Sequence, residues 1–383
     1  MSDSSEMSTV VQKYGGSSVA DPERLGRVAD RVAETARAGH RVVVVVSAMG
    51  KTTDELYALA RAVAPSPSRR ELDMLLSCGE RISMALLAMA LEHRGLAAIS
   101  FTGSQSGIIT DDRHTGARIV AVRPVRIVEA LDLGRIVIVA GFQGVSEHRE
   151  VTTLGRGGSD TTAVAMAAAL GAAWCEICSD VDGVYSADPR VVPEAHRLDE
   201  ISYGEMSALA SHGARVLNAE AVAWAERAGI ELLARATTLS PLSAGGRPEG
   251  GTRVGRAIGR AIGRAGPRAV TGTRVVTVVH GIEALTIAAE ERLPLRSVHG
   301  HELRFVRDDV PDWPRIAARF AQVREVGEVT LVGPGIAADA GLVRLAASGA
   351  LAVSAAGSAI TLDVPTDRVD DMARALHESL VVR

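Results

Sequence analysis

The fold is decided by the stretch Gly155-Arg156-Gly157-Gly158-Ser159-Asp160-Thr161-Thr162, which runs into a segment of small residues from 163 to 170. Glycines leave backbone N–H groups free to surround an anion, and Ser, Asp and Thr are residue types that begin helices. The stretch therefore predicts a loop that leads into a helix N-terminus, a natural site for phosphate or carboxylate. Arg156 adds a planar cation, and Asp160 adds a carboxylate that can orient a lysine or a metal. The alternative is a glycine-rich turn before a buried helix.

The composition limits the kinds of protein that this chain can be. It has 383 residues, of which 47% are hydrophobic and 3% aromatic, and a net charge of −4. The length allows two or three domains, with a core built from Ala, Val, Leu and Ile. The charge gives no reason to expect nucleic acid, and three cysteines favour a reducing compartment over a disulfide framework. Because no segment has the pattern of a signal peptide or a membrane span, we expect a cytoplasmic protein that binds no membrane.

A strand, a glycine turn and a helix are predicted near the N-terminus. The strand Thr9-Val10-Val11-Gln12 ends in Lys13-Tyr14-Gly15-Gly16, and Pro22 opens an amphipathic helix that extends to Arg37. This order is typical of an α/β phosphate site with a lysine at the strand end. A Gly-Gly turn is more often purely structural. The preceding lysine favours the functional interpretation, because it would place a point charge at phosphate oxygens.

A second turn follows the five valines at 42–46, which are typical of a strand buried on both faces of a parallel sheet. The turn begins at Ser47, and Gly50-Lys51-Thr52 within it looks like the end of a P-loop. We exclude a P-loop because the motif needs a glycine where Val45 stands. A loop at the carboxyl end of a central strand is still a place where ligands bind.

Glu80 lies in a Leu- and Met-rich helix predicted over 71–93, within Cys78-Gly79-Glu80-Arg81. A carboxylate in buried surroundings needs a partner. The alternative is an ion pair within the helix or on the surface. Two further strands are predicted at 97–101 and 136–140, and the intervening residues 103–112 predict a loop or edge hairpin.

A strand predicted over 174–180 leads into Asp182-Gly183-Val184-Tyr185-Ser186-Ala187-Asp188-Pro189-Arg190. Cys175 and Cys178 have the spacing of a zinc or redox pair, but positions three apart on a strand face opposite sides and no second ligand pair exists. We interpret both as core cysteines. The polar cluster concentrates hydrogen-bonding groups and one aromatic face at a strand end, as a purine and ribose pocket requires. A plain series of turns is the alternative.

The rest of the chain predicts a second domain. Helices interrupted at His212 precede a last strand at 230–236, and we interpret His212 as a loop or packing residue. Region 241–269 is rich in Gly, Pro, Ser and Arg with tetrapeptide repeats, which predicts a linker after a domain at 1–240, and its arginines lack the aromatic residues of nucleic-acid-binding segments. Residues 270–383 predict a smaller α+β domain without a catalytic cluster, with strands at 274–279, 303–306, 328–332, 351–355 and 359–364 and helices at 313–323, 339–347 and 367–380.

Six motifs over about residues 9–240 resemble those of the aspartate kinases of the amino acid kinase family. In the family's order they are Lys13-Tyr-Gly-Gly-Ser-Ser, Ser47-Ala-Met-Gly, Gly79-Glu-Arg, Phe101-Thr-Gly-Ser-Gln, Gly155-Arg-Gly-Gly-Ser-Asp-Thr-Thr and Ser179-Asp-Val-Asp-Gly-Val-Tyr-Ser-Ala-Asp-Pro-Arg. The resemblance implies an α/β sandwich with a central, mainly parallel sheet and an ACT-like C-terminal domain. It implies transfer of the ATP γ-phosphate to the side-chain carboxylate of L-aspartate, with Mg²⁺ carried by ATP rather than held by side chains.

The resemblance also implies a role for each matched residue. Catalysis falls to Lys13 and Asp160, with Asp160 orienting the lysine and the magnesium shell. Glu80 is expected to bind the α-amino group of aspartate and Arg156 its carboxylate, and the full substrate set is Thr53, Glu80, Arg156, Gly157, Gly158 and Ser159. The nucleotide set is Lys13, Tyr14, Gly15, Gly16, Ser47, Ser179, Asp180, Tyr185, Asp188, Arg190 and Arg215.

The chain departs from the family's pattern in its later part. Arg215 stands where the family usually has a lysine that reaches ATP, and a guanidinium is bulkier and forked. Asn218-Ala219-Glu220 lacks the basic residue common there. The family ends in two ACT modules, but 282–307 is too short for the usual first half, and 354–358 lacks the familiar Thr-Ser-Glu. We therefore expect weak or absent inhibition by lysine plus threonine, and a homodimer through the C-terminal domain because ACT modules commonly pair.

Two other functions stay open at this point. The first is an acyl kinase of the same fold that acts on a related amino acid. Glu80 with Arg156 favours an α-amino acid zwitterion as the acceptor. The second is a non-catalytic, amino-acid-binding regulatory subunit, which the loss of Lys13 or Asp160 would have favoured; both residues are present. The sequence does not decide between general lysine, threonine and methionine synthesis and a dedicated pathway.

Overall fold

A computed structural model describes residues 8–240, 242–243, 246–256, 269–279, 285, 295–299, 302–306, 310, 313–320, 323–334, 336–339, 343, 350–356 and 359–381. Contacts divide the chain into two units. The described residues of Met1–Val184, Asp199–Tyr203 and Val216–Ile258 form the first unit, and those of Tyr185–Leu198, Gly204–Arg215 and Gly259–Arg383 form the second. The second unit therefore takes two short segments from the middle of the chain.

The strands up to residue 255 belong to two sheets of the first unit. They are β1 Thr9–Tyr14, β2 Arg41–Val46, β3 Ala98–Phe101, β4 Ile108–Thr110, β5 Ile119–Val122, β6 Ile136–Ala140, β7 Gln143–Ser146, β8 Val151–Thr153, β9 Trp174–Ser179, β10 Glu200–Ser202, β11 Leu232–Ala236 and β12 Thr252–Gly255. The larger sheet has the order β10-β12-β11-β9-β1-β2-β6-β3, and the smaller one has the order β5-β4-β7-β8. Within the larger sheet only the β11–β12 pair is antiparallel among the described strands. The predicted α/β class with a mainly parallel sheet is confirmed.

The helices up to residue 228 connect these strands. They are α1 Pro22–Arg37, α2 Thr52–Val63, α3 Arg69–Leu76, α4 Cys78–Glu92, α5 Val125–Asp132, α6 Gly158–Leu170, α7 Tyr203–Ser211 and α8 Ala219–Ala228. The Asp21 side chain caps α1 by accepting a hydrogen bond from the Arg24 amide, and Pro22 occupies the first turn, as its fixed φ allows.

The centre of the larger sheet is buried on both faces, as the valines of β2 predicted. Val42, Val43, Val44, Val45 and Val46 are all buried, and β2 pairs in parallel with both β1 and β6. Helix α6 is made of small residues and is buried from Gly158 to Ala167, so it packs close to the sheet. These parallel strands carry their loops at one edge of the sheet, where ligands bind in α/β proteins.

Two sequence predictions need correction in the first unit. The helix predicted over 71–93 is two helices, α3 and α4, with Ser77 between them. The region 241–269 was predicted to be a linker, but it contains β12, which pairs with β10 and β11 and buries Val254. The Gly- and Arg-rich composition hid this strand, because it has only four residues.

The helical stretch Arg69–Glu92 is long and apolar enough, by composition, to cross a bilayer. Leu87 and Leu91 of α4 are fully buried in the core cluster that includes Val44 and Ile138. A core helix passes the same compositional test, and the packing of these two leucines is that of a core helix.

The second unit has a six-stranded sheet among its described residues. Its strands are β13 Ala269–Val279, β14 Leu295–His299, β15 Glu302–Val306, β16 Val323–Val332, β17 Ala352–Ala356 and β18 Ala359–Val364, in the order β14-β15-β13-β16-β18-β17, and its later helices are α9 Trp313–Ala317 and α10 Val369–Leu380. The helix predicted over 313–323 ends at Ala317, and Val323 begins β16. The predicted helix at 339–347 and the shortened segment at 282–307 lie largely outside the described residues.

Candidate active site

The ammonium of Lys13 and the carboxylate of Asp160 form an ion pair at the carboxyl end of β1. Their Nζ and Oδ1 atoms are 2.6 Å apart, and both side chains are largely buried. Lys13 is the fifth residue of β1, and Asp160 lies in the first turn of α6. The two segments that the sequence analysis assigned to anion binding therefore meet at one place.

A glycine cradle, formed by Gly15, Gly16 and Gly50, surrounds this ion pair on the β1 and β2 side. The Gly50 amide donates to the Gly16 carbonyl at 3.0 Å, and the Gly15 amide donates to the Cys178 carbonyl at 3.2 Å. A Cβ at residue 16 would lie 2.9 Å from the Ala48 carbonyl oxygen, so only glycine fits there. Backbone hydrogen bonds thus join the loops after β1 and β2, and the glycines keep side chains out of the space beside Lys13. An anion could approach the backbone closely there.

Ser47 and Glu80 lie next to this cradle. The Ser47 amide donates to the Tyr14 carbonyl at 3.1 Å, which fixes the start of the loop after β2. Glu80 in the first turn of α4 accepts a hydrogen bond from the Ala48 amide through Oε1 at 3.1 Å. Its other oxygen, Oε2, is buried without a hydrogen-bond partner among the described residues. Burial raises the pKa of Glu80 to about 7, against the opposing effect of hydrogen bonds from backbone amides.

The loop that carries Arg156 is held from the α8 side by Asn218. The Asn218 Nδ2 atom donates to the Arg156 carbonyl at 3.1 Å, and its Oδ1 atom accepts from the Glu220 and Ala221 amides to cap α8. A Cβ at residue 157 would lie 2.3 Å from Asn218 Nδ2, and Gly157 has a φ of 72°. The Arg156 side chain is exposed and starts from this fixed backbone.

Asp73 holds the same loop from its other side, and the sequence analysis missed it. The buried Asp73 carboxylate accepts hydrogen bonds from the Thr115 amide at 3.0 Å and from the Thr153 hydroxyl at 2.5 Å, and it pairs with His114 Nδ1 at 2.7 Å. Gly155 follows Thr153 closely and packs against Thr115. Thr115 has a φ of 65°, a conformation uncommon outside glycine. The contacts with Asp73 hold the turn in this conformation. They join residues far apart in the chain, so the sequence alone does not reveal them.

The remaining predicted substrate residues lie in helix N-termini at this edge of the sheet. Gly158 and Ser159 form the buried first turn of α6, and Ser159 packs against Gly141, where a Cβ would lie 2.8 Å from the serine hydroxyl. Thr53 is half-buried in the first turn of α2. The role of Thr53 in binding substrate stays a prediction.

The predicted nucleotide residues are divided between the two units. Ser179 ends β9 in the first unit, where its carbonyl accepts from the Thr237 amide at 2.9 Å, and Asp180 follows it as an exposed residue. Tyr185, Asp188, Arg190 and Arg215 lie in segments of the second unit. Asp188 and Arg190 pair with each other, with 2.7 Å between Oδ2 and Nη2, and this hydrogen bond lowers the pKa of Asp188. Arg215 is exposed. Their contacts with nucleotide stay predictions.

The two cysteines of β9 are core residues. Cys175 and Cys178 are both fully buried as free thiols. Burial raises the pKa of Cys178 to about 12, so the thiol stays protonated and unreactive near neutral pH. Among the described residues, no group of three His, Cys, Asp or Glu side chains has the arrangement of a metal site.

Comparison with known proteins relates this geometry to a family. Residues 8–233 match the model of the amino acid kinase family. The chain is 60% identical over 232 residues to the aspartokinase of Mycolicibacterium smegmatis, covering 60% of this chain and 55% of the relative. It is 54% identical over 231 residues to the aspartokinase of Thermus thermophilus, covering 57% of that protein. The chain thus spans a little over half the length of the curated relatives it matches.

Solved structures extend the likeness over nearly the whole chain. E. coli aspartokinase III in complex with aspartate and ADP matches with a TM-score of 0.80 at 25% identity, over 97% of this chain and 99% of that one. The aspartate kinase from Synechocystis matches with a TM-score of 0.58 at 33% identity, over 97% of this chain and 69% of that one. Since the family model covers more than half of the residues, this protein belongs to the amino acid kinase family.

Proposed function

We propose that this protein is an aspartate kinase, which transfers the γ-phosphate of ATP to the side-chain carboxylate of L-aspartate. The proposal is carried by the 2.6 Å ion pair between Lys13 and Asp160, which brings a cation to a glycine cradle and a helix N-terminus at the carboxyl edge of a parallel sheet. The 60% identity to an aspartokinase over 232 residues supports the same substrates.

Glu80 is the proposed partner of the α-ammonium group of aspartate. One of its oxygens is buried without a donor among the described residues, although the other accepts from the Ala48 amide. A buried carboxylate with an open oxygen is costly unless a cation binds it. The substrate ammonium would be that cation. Arg156 is proposed to bind the α-carboxylate through its planar fork, with Thr53, Gly157, Gly158 and Ser159 completing the acceptor site.

The phosphate groups are assigned to the cradle. Lys13 would neutralise the transferring phosphate, and the backbone around Tyr14, Gly15, Gly16 and Ser47 would surround the tail of the nucleotide. Ser179 and Asp180 follow β9 at the same edge of the sheet as Lys13, since β1 and β9 pair in parallel. Roles for Tyr185, Asp188, Arg190 and Arg215 rest on the resemblance to aspartate kinases.

The chemistry needs no general base. The aspartate side chain is already ionised near neutral pH, so one of its carboxylate oxygens attacks the γ-phosphorus directly. As that P–O bond forms, the bond from the γ-phosphorus to the β,γ-bridging oxygen breaks, and ADP leaves with the electron pair. The chain's contribution is to align the two substrates and to neutralise charge on the phosphoryl oxygens. Asp160 would hold the Lys13 ammonium at the phosphate.

Magnesium fits this site as a companion of ATP. Mg²⁺ usually binds through one or two carboxylates together with substrate phosphates. Here no side chain is proposed as a direct ligand of the ion: Oδ1 of Asp160 contacts Lys13, and Oδ2 would accept hydrogen bonds from the water ligands of Mg²⁺. The ion would neutralise phosphate charge.

The proposed assembly is a homodimer formed through the C-terminal domain. β17 is an outer strand of its sheet, all five of its residues are exposed, and none is charged. Such an edge is a template for a strand from another chain. Sedimentation equilibrium of the full chain tests this assembly; a monomer at micromolar concentration would contradict it.

The cellular location is proposed from the composition. We propose a cytoplasmic enzyme without nucleic acid or membrane partners, on the basis of three free cysteines and a net charge of −4.

We also propose that lysine plus threonine inhibit weakly or not at all. Half-inhibition by both effectors together at low millimolar concentration would refute that proposal.

Hydroxylamine trapping tests the proposed function. The full chain is incubated with Mg-ATP and a panel of amino acids, and acyl phosphate is detected as hydroxamate. We expect product with L-aspartate alone. Product with glutamate or another acid instead would assign a different acyl kinase, and no product with any acid would favour a non-catalytic binding protein.

A further inference from the structure

The segment that holds Tyr185, Asp188 and Arg190 is built into the core of the second unit. Ala187 and Val192 from this segment lie in a buried cluster with residues of the C-terminal sheet and of helix α10, among them Leu331, Ile360 and Leu376. The Arg374 side chain on α10 also donates to the Val191 carbonyl at 3.3 Å. The position of this segment is therefore set by the C-terminal part of the chain.

Ser186 is the point where this segment is fixed most firmly. It is fully buried, its amide donates to the His196 carbonyl at 2.9 Å, and its carbonyl accepts from the Val270 amide at 2.8 Å. Its hydroxyl oxygen lies 2.8 Å from Nε2 of His377 on α10 and 3.2 Å from Nδ1 of His196. The His196 amide donates to the same hydroxyl at 3.0 Å.

These three contacts match the hydrogen-bonding capacity of one hydroxyl group. A serine hydroxyl donates once and accepts twice. Because the His196 amide can only donate, one imidazole nitrogen must donate to the hydroxyl and the other must accept from it. Removing the imidazole of His377 would leave a buried hydroxyl with one bond too few, which is unfavourable.

We propose that His377 is a positioning residue for the nucleotide site: through the Ser186 hydroxyl it holds the segment from Tyr185 to Arg190 in the conformation that binds ATP. This inference rests on the proposed function, which assigns that segment to the nucleotide. In this proposal His377 acts from helix α10 through the Ser186 hydroxyl and not by contact with a substrate. The ATP affinity of the enzyme then depends on a helix that belongs to the C-terminal unit.

The experiment compares variants of the full chain by steady-state kinetics and by calorimetric titration with ADP. His377→Phe keeps a planar aromatic ring, of somewhat larger volume, and removes the hydrogen bond, whereas His377→Gln places an amide near the position of Nε2. Ser186→Ala removes the hydroxyl from the other side. Leu376→Ala is the matched control, because Leu376 precedes His377 on α10 and lies in the buried cluster, but its side chain has no group that can hydrogen-bond to the Ser186 hydroxyl.

We expect His377→Phe and Ser186→Ala to raise the KM for ATP and the Kd for ADP about threefold to tenfold, the range of one hydrogen bond, with the KM for aspartate changed by less than a factor of about two. His377→Gln should restore most of the affinity. Leu376→Ala should lower the Tm without this selective effect.

Two results would overturn the inference. One is an ADP affinity within about 1.5-fold of wild type in both His377→Phe and Ser186→Ala, since one hydrogen bond is worth more than that. The other is an equal rise of both KM values that Leu376→Ala reproduces, which would reduce His377 to a packing residue. The ADP titration does not require turnover, so it judges His377 even if hydroxamate assays reject the proposed function.

Discussion

Two groups of buried charge lie on the neighbouring strands β1 and β9, and they differ in how far their hydrogen bonds are satisfied. At the carboxyl end of β1, Lys13 has Asp160 as its described ion-pair partner. In the middle of β9, Glu176 is fully buried and both of its oxygens are occupied. The nitrogen donors to Glu176 are the side chains of Gln12, Trp174, Arg31 and Arg235, and the Cys178 thiol lies 4.0 Å from Oε2.

The difference separates a ligand site from a structural one. A carboxylate has about four acceptor positions, and Glu176 uses all of them within the chain. An ammonium has three donors, and a single described ion pair leaves Lys13 with capacity for phosphate oxygens. A buried charge with open capacity at a loop edge points to a ligand, whereas a buried charge with full capacity in a strand centre points to stability.

The largest expected effect is on activity, in Lys13→Ala. We expect kcat to fall about 10³-fold or more, because the variant loses the charge that is proposed to stabilise the transferring phosphoryl group. Hydroxamate formation measures the loss, and thermal unfolding checks that the fold is intact. The chain has just two lysines among its 42 Lys and Arg residues, so Lys51→Ala, on an exposed residue, is the matched control. If the kcat of Lys13→Ala stayed within about tenfold of the wild-type value, Lys13 would be a structural charge like Glu176 and not a ligand-binding one.

At Glu176 we expect a substitution to lower stability, whereas at Lys13 we expect it to lower activity. Glu176→Gln leaves two buried guanidinium groups without their carboxylate, and we expect it to lower the free energy of unfolding by about 3–5 kcal/mol. Urea titration measures this change. Glu23→Gln removes an exposed partner of Arg27 and should change stability by less than about 1 kcal/mol. If Glu176→Gln were as stable as wild type but inactive, Glu176 would be part of the ligand site, like Lys13, and not a structural residue.

Glu80 combines features of both groups, because it is buried like Glu176 and its Oε2 atom has no hydrogen-bond partner among the described residues. Its folded pKa of about 7 lies above the ordinary 4.5, so the folded state holds a proton that the unfolded state has lost, and the Glu80 contribution to stability falls as the pH rises through that window. Binding of a substrate ammonium needs the ionised form. The KM for aspartate should therefore decrease as the pH rises from about 6 to 8, by up to about tenfold per pH unit below the pKa.

Glu80→Gln supplies the control for that pH profile. The amide cannot ionise, so the KM for aspartate should be high and should lose its dependence on pH in this range. The KM for ATP serves as the internal reference. An aspartate KM with the same pH profile in wild type and Glu80→Gln would show that another group titrates.

The smallest expected effect concerns Asn218. Asn218→Asp keeps the oxygen that caps α8 but replaces the donor to the Arg156 carbonyl with a second oxygen. We expect the KM for aspartate to rise about twofold to tenfold with little change in Tm, since one hydrogen bond is lost and the helix cap is kept. Asn218→Ala, which loses both, should also lower the Tm. Equal KM values in all three proteins would mean that Arg156 is positioned without Asn218.

The sequence predicted the features that depend on local pattern. The valines of β2, the glycine turns and the capped helix α1 have periodicities and residue types that identify them within a short window. The resemblance to aspartate kinases also implied that Asp160 orients a lysine, and Asp160 does pair with Lys13. What the sequence analysis missed depends on contacts between distant residues. Asp73 with Thr153, and Ser186 with His377, are 80 and 191 positions apart.

The lysine at position 13 carried a signal that was not used. A chain that otherwise uses arginine throughout, apart from an exposed lysine at 51, keeps lysine where a point charge suits the site. Strand β12 was missed for the opposite reason, since four residues in a Gly- and Arg-rich region do not reveal a period. The burial of Val254 follows from the neighbouring strands alone.

Gly79 sets the distance between helix α4 and the loop after β2. A Cβ at this residue would lie 2.7 Å from the Ala48 Cβ, so a methyl group there would push the helix away. Glu80, the next residue, would move with it and lose its bond to the Ala48 amide. If Glu80 binds the amino group of the acceptor as proposed, the missing side chain at residue 79 sets the depth of that pocket, and a residue without any functional group becomes the position at which acceptor choice can be changed.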